Sequence, residues 1–154
     1  MPTAGYSVRV GAMPTAGYSG TPLVKKLGIK PGATLGLIGA PDGFDRTLGE
    51  LPDDVAVRRR LQGRLDVIVA FYVERSALKR RLPALRDALE PSGGLWLAWP
   101  KRAAGVATDL SDTVVRELGL AAGLVDNKVC AIDEVWSGLR LVYRLRDRPA
   151  ASRA

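Results

Sequence analysis

The chain has 154 residues, 47% hydrophobic and 25% charged, the size and balance of one globular domain that needs no disulfide or metal to fold. It contains no histidine and a single cysteine, which excludes Ser-His-Asp and Cys-His catalysis and a structural zinc site within the chain. Its 23 Lys and Arg against 16 Asp and Glu leave a net charge of +7, a balance that favours anionic partners, non-specific nucleic acid among them.

The cations fall in several clusters, Arg58 to Arg60, Lys79 to Arg81, Lys101 with Arg102, and Arg140 to Arg148, so they also suit a plain role of solvating helix faces. No apolar run approaches the roughly 20 residues needed to cross a bilayer, and no charged-then-apolar leader opens the chain. A cytoplasmic protein without a membrane partner is expected, and the lone Cys130 agrees with a reducing compartment.

Met1 to Ser7 recurs letter for letter as Met13 to Ser19. An identity this short reads as a duplicated start, with Met13 as the natural initiator in place of Met1 and residues 1–19 as a disordered extension. One α/β domain is expected over 20–146, followed by a polar tail over 147–154. Thr21 is placed to cap a short helix with Pro22 at its first position, closed by Gly28. Ala33 to Gly39 reads as a strand, followed by the loop Ala40 to Asp45, a short helix from Phe44 to Leu51 and a marginal strand from Asp54 to Arg58.

Leu65 to Tyr72 is a continuous apolar run, which describes a strand covered on both faces. Leu78, Leu82, Leu85 and Leu89 then fall at helical spacing, with Lys79, Arg80, Arg86 and Asp87 facing away and Pro83 inside the helix. The turn Pro91-Ser-Gly-Gly94 feeds a further buried strand, Leu95 to Trp99, in which Trp96 and Trp99 point to opposite faces. Ser111 caps the next helix, Leu110 and Val115 form a hydrophobic staple, and Gly123 ends it. Leu124 to Ile132 and Leu139 to Leu145 are joined so closely that they must be antiparallel.

A glycine-punctuated first strand, the run Leu65-Asp-Val-Ile-Val69, a leucine helix, the Pro91-Ser-Gly-Gly94 turn and a closing hairpin together resemble the S-adenosylmethionine (SAM)-dependent methyltransferase fold. The chain also resembles an uncharacterised domain-of-unknown-function family of small bacterial proteins from about Tyr18 to Arg144. That resemblance rests on Lys26 to Gly32, Gly94 to Lys101, Gly123-Leu-Val125 and Trp136 to Val142. The methyltransferase resemblance implies a three-layer, Rossmann-like, mostly parallel sheet of order 2-1-3-4-6-5 with the last strand reversed. It also implies SAM at the loop after the first strand, where Gly39, Asp42, Gly43 and Glu74 would line it. That loop, Gly39-Ala-Pro-Asp-Gly43, departs from a Gly-x-Gly turn at Pro41, and the second strand ends in Arg58-Arg-Arg60 where methyltransferases carry an acidic residue.

Those departures direct the reading to the next rim loops. In a parallel sheet, ligands sit beyond the carboxyl ends of the strands. If the fifth strand runs parallel to the fourth, Lys101, Arg102, Thr108 and Asp109 come near Asp133, Glu134, Trp136 and Ser137, with Trp136 as a stacking platform for a polar ligand. The leading expectation is therefore a non-catalytic binding or regulatory protein. It takes a small anionic or polar ligand or a protein partner at that rim, with no catalytic residue, metal or cofactor. The alternatives are a minimal SAM-dependent methyltransferase and a nucleic-acid-associated basic protein.

Overall fold

The structure is a computed structural model and describes residues 21–149. The expected N-terminal extension and most of the polar tail lie outside the described residues. The helices are α1 (Leu23–Lys26), α2 (Phe44–Leu48), α3 (Arg75–Ala88) and α4 (Asp112–Ala121). The strands are β1 (Thr34–Ile38), β2 (Ala56–Arg58), β3 (Leu65–Phe71), β4 (Leu89–Pro100), β5 (Leu124–Ala131) and β6 (Trp136–Tyr143).

They form one six-stranded sheet of order β2-β1-β3-β4-β6-β5. The first four strands in that order are parallel, and β6 runs antiparallel to both β4 and β5. The order and the reversed last strand are those expected. Strand alternation explains how helices cover both faces. Ile68, Ala70, Leu95, Leu97, Trp99, Leu139 and Leu141 pack beneath Leu78, Leu82 and Leu85 of α3 and Val115 and Leu118 of α4. Val67, Val69, Phe71, Trp96 and Ala98 face the other way, toward Leu27, Phe44 and Leu48. Trp96 is fully buried, and its indole Nε1 donates to the Leu27 carbonyl at 3.0 Å, tying the chain after α1 to the centre of the sheet.

Several boundaries differ from the expected ones for local reasons. Pro22, not Thr21, occupies the cap position of α1, and that helix is a single turn. α2 ends at Leu48 because Gly49 takes a positive φ of 81°. β4 begins at Leu89, six residues before the expected Leu95. Leu65 pairs with Leu89 and Val67 with Gly94, so Pro91, Ser92 and Gly93 form a bulge inside the strand and not a turn before it. Leu145 leaves the last strand for a 3-10 turn over Leu145–Asp147 and is 78% exposed.

Pro83 does lie within α3, on its exposed side, so the missing amide bond falls away from the buried leucines. Arg86 is only half exposed, since its Nη1 reaches back to the Ala122 carbonyl at 3.1 Å. At α4 the sequence reading holds in detail. Ser111 Oγ accepts from the Val114 amide at 3.2 Å, Leu110 and Val115 are both buried, and Gly123 follows at φ 89°.

Candidate functional site

The carboxyl ends of β1, β3 and β4, the start of β6 and the end of β5 share one rim of the sheet. Because β5 is parallel to β4, the hairpin before β6 and the loop after β4 emerge together. They touch where the Lys101 amide donates to the Val135 carbonyl at 2.7 Å. The expected adjacency of these loops is present, but its residues divide into separate roles.

Lys101, Arg102, Thr108 and Ser137 line an open groove of about 480 Å³ floored by Trp99 and bordered by Ser111. Asp109 instead serves the scaffold, its Oδ1 accepting from the Arg75 amide at 2.7 Å at the start of α3. Thr108 Oγ1 donates to the Val73 carbonyl at 2.5 Å, so the same loop is fastened twice to the chain between β3 and α3. Asp133 closes its own hairpin, with Oδ1 accepting from the Val135 and Trp136 amides, each at 2.8 Å. Glu134 stands exposed at the hairpin tip.

Trp136 does not face the groove. Successive residues of a strand point to opposite faces, so Ser137 on the groove side puts Trp136 on the other. There its ring meets Phe71 edge-on at 5.1 Å, and Phe71 meets Phe44 at 4.9 Å. This aromatic row was missed from the sequence because its members lie in three segments with no common spacing. Exposed Val73, Val106 and Val135 add an apolar fringe to the rim that no pattern marked.

The other half of the rim carries the positions that the methyltransferase resemblance assigns to a cofactor. Gly39 has φ 67°, and a Cβ there would sit 3.3 Å from the Phe71 carbonyl, so the turn needs glycine to pass close to β3. Gly43 has φ 82° and open space beyond it, while Asp42 and Glu74 are exposed. Glu74 is the cap residue of α3 but makes no side-chain cap bond. At the end of β2, Arg59 Nη2 lies 2.9 Å from both carboxylate oxygens of Asp45. Phe44, which follows the turn directly, is only 2% exposed and packs against Phe71.

The donor set therefore fits SAM in part. Exposed carboxylates at Asp42 and Glu74 complement its amino and sulfonium cations and its ribose hydroxyls, and the glycine turn leaves room for approach. The arginines ending β2 do not supply the acidic group that the fold places there. Tyr72, at the end of β3, has its phenol pKa raised by burial and pulled back by the charge and hydrogen bond of Arg81. Burial likewise raises the Cys130 thiol pKa, against the charges of Lys26 and Lys128, so this cysteine is a poor nucleophile at neutral pH. Among the described residues no group of three or more His, Cys, Asp or Glu is placed to hold a metal ion, and no helix is long and apolar enough to cross a membrane.

No family model and no curated protein matches the chain in sequence. Solved structures do match its fold. A SAM-dependent methyltransferase from Aquifex aeolicus superposes with a TM-score of 0.57 at 15% identity, covering 77% of this chain and 86% of that one. The ribosomal protein L11 methylase of Lactobacillus delbrueckii subsp. bulgaricus gives 0.53 at 13% identity, with 79% and 75% covered. Magnesium protoporphyrin IX methyltransferase from Synechocystis, with bound SAM, gives 0.52 at 10% identity, with 79% and 74% covered. These likenesses overturn the leading expectation of a non-catalytic binding protein, because the fold is shared with enzymes and the balance moves to the methyltransferase alternative. They equally remove support from the expectation that no cofactor is needed. The sheet is a methyltransferase-like α/β sheet, with its reversed strand β6 between β4 and β5.

Proposed function

We propose that this chain is a minimal SAM-dependent methyltransferase. The observation that carries the reading is the sheet order β2-β1-β3-β4-β6-β5 with β6 reversed, joined to a glycine turn at the carboxyl end of β1. SAM, when bound, supplies an electrophilic methyl group on a sulfonium centre. Gly39 and Gly43 would let it approach the turn, and Asp42 and Glu74 would hold its cationic and hydroxyl groups. The acceptor in this reading is an anionic or polar molecule in the groove beside Lys101, Arg102, Thr108 and Ser137, farther along the same rim. Lys101 and Arg102 would orient its negative charge, and Thr108 and Ser137 its hydrogen-bonding groups.

Titration calorimetry with SAM and its demethylated product tests the cofactor half. Saturable binding is expected, together with a rise in melting temperature, since ligand at about 100 times its dissociation constant adds roughly 2.7 kcal/mol. The pair Asp42→Asn and Glu74→Gln should weaken that binding by about tenfold or more, as charged hydrogen bonds contribute roughly 1.5–3 kcal/mol each, without lowering the melting temperature of the free protein. A folded protein that binds neither compound at millimolar concentration would sink the reading.

A further inference from the structure

Four of the six lysines gather on one side of the molecule, although they come from separated segments. Lys25 and Lys26 belong to α1, Lys30 to the turn before β1 and Lys128 to β5, where it pairs with Arg140 of β6. Three hollows join them. One of about 340 Å³ runs between Lys30 and Arg140, one of about 180 Å³ lies between Arg140, Lys128 and Lys25, and one of about 460 Å³ continues past Lys25 and Lys128 to Ala131. Gly28 and Arg140 border the first two, and Lys25, Lys26 and Lys128 border the last two, so the hollows make one shallow trough.

Its charge is one-sided. Among the described residues lining it, Asp66 is the one carboxylate, and its Oδ2 already accepts from the Thr34 amide at 2.8 Å. Arg140 is half-buried against Gly94, where any Cβ would collide with its guanidinium. Its guanidinium makes no hydrogen bond or ion pair with the described residues, and burial lowers its pKa. A partly desolvated guanidinium in this state gains from an incoming anion.

We propose that this trough binds the phosphate backbone of a single-stranded nucleic acid. The cations are strung through linked hollows and do not ring one of them, which suits a polyanion better than a compact phosphorylated metabolite. Among the described residues no aromatic side chain lines the trough, so no stacking platform for bases is present among them and binding is expected to be independent of sequence. A flexible single strand follows a concave path that a rigid duplex does not. The Lys30 end lies at the amino ends of β1 and β3, away from Gly39 and Glu74 at their carboxyl ends, so the inference does not rest on the methyltransferase reading.

Fluorescence anisotropy of the full chain with a labelled oligouridylate, between about 50 and 200 mM salt, tests it. The logarithm of the binding constant should fall linearly with the logarithm of salt. A slope near −3 is expected, from about −0.7 for each of four or five phosphates. The triple variant Lys25→Gln, Lys128→Gln, Arg140→Gln should flatten the slope by about 2, whereas Lys128→Arg should leave it unchanged. If Arg140→Gln lowers the melting temperature, the double variant at Lys25 and Lys128 serves, with a flattening of about 1.4. Changing Arg58, Arg59 and Arg60 to Gln should leave binding as it was. The proposal is overturned by no binding at the low-salt end, by a charge-removing Gln variant of the trough that binds like the native chain, by the Arg58 to Arg60 variant losing as much, or by a duplex binding equally well. Unaltered SAM affinity in the trough variants separates this result from the fate of the cofactor site.

Discussion

The two halves of the sheet are built to different standards. β3, β4 and β6 are seven to twelve residues long, and β3 and β4 are buried almost throughout on both faces. The β1–β2 corner has a three-residue edge strand, mostly exposed, and a five-residue helix α2 in place of a full covering helix. Hydrophobic burial scales with area, so the longer, more fully covered strands contribute the larger share of the fold's stability. The corner still anchors to the core through Phe44 and Leu48, but its outer edge is exposed. Its exposed Arg59–Asp45 pair illustrates the point, since charges in water interact weakly.

The widest expected gap is opened by Trp96→Ala. It removes a fully buried indole and orphans the Leu27 carbonyl, and denaturant unfolding should show a loss of about 3–5 kcal/mol. A loss below about 1 kcal/mol would mean that the central strands are not where the stability lies. Next comes Gly138→Ala, whose Cβ would meet Ile132 Cδ1 at 2.8 Å and Trp96 Cε3 at 3.1 Å. Overpacking of this kind costs about 1–3 kcal/mol, and a second change, Ile132→Val, should recover part of it. The smallest effect belongs to the corner. Asp45→Asn breaks the exposed ion pair and should change stability by no more than about 1 kcal/mol. A larger loss there would show the two halves to be coupled.

The strands and helices of the packed half were legible because burial on both faces leaves an unbroken apolar run, as in Leu65 to Phe71, and burial on one face leaves a period, as in Leu78, Leu82 and Leu85. Ser111 and Gly123 marked α4 through chemistry confined to one turn of chain. The bulge at Pro91 to Gly93 was not legible, because the same residues also make a turn, and only pairing with β3 tells the two apart. The rim site was legible as an address. The touching of the Lys101 and Val135 loops follows from strand direction together with the strand order that the methyltransferase resemblance implies. The roles of its members were not, since Asp109 and Asp133 differ from free carboxylates only through amides contributed by folded backbone.

The strand order was implied by the resemblance to the methyltransferase fold; by itself, the order of residues determined the main helices and strands and the exclusion of histidine chemistry within the chain. These depend on composition and on periodicities a few residues long. Only the tertiary structure decided that Trp136 meets Phe71 edge-on away from Ser137, that Phe44 packs on the other side of Phe71, and that lysines from three segments share one trough. Such groupings join residues tens of positions apart. Their distances are set by sheet pairing and packing, which no local pattern encodes.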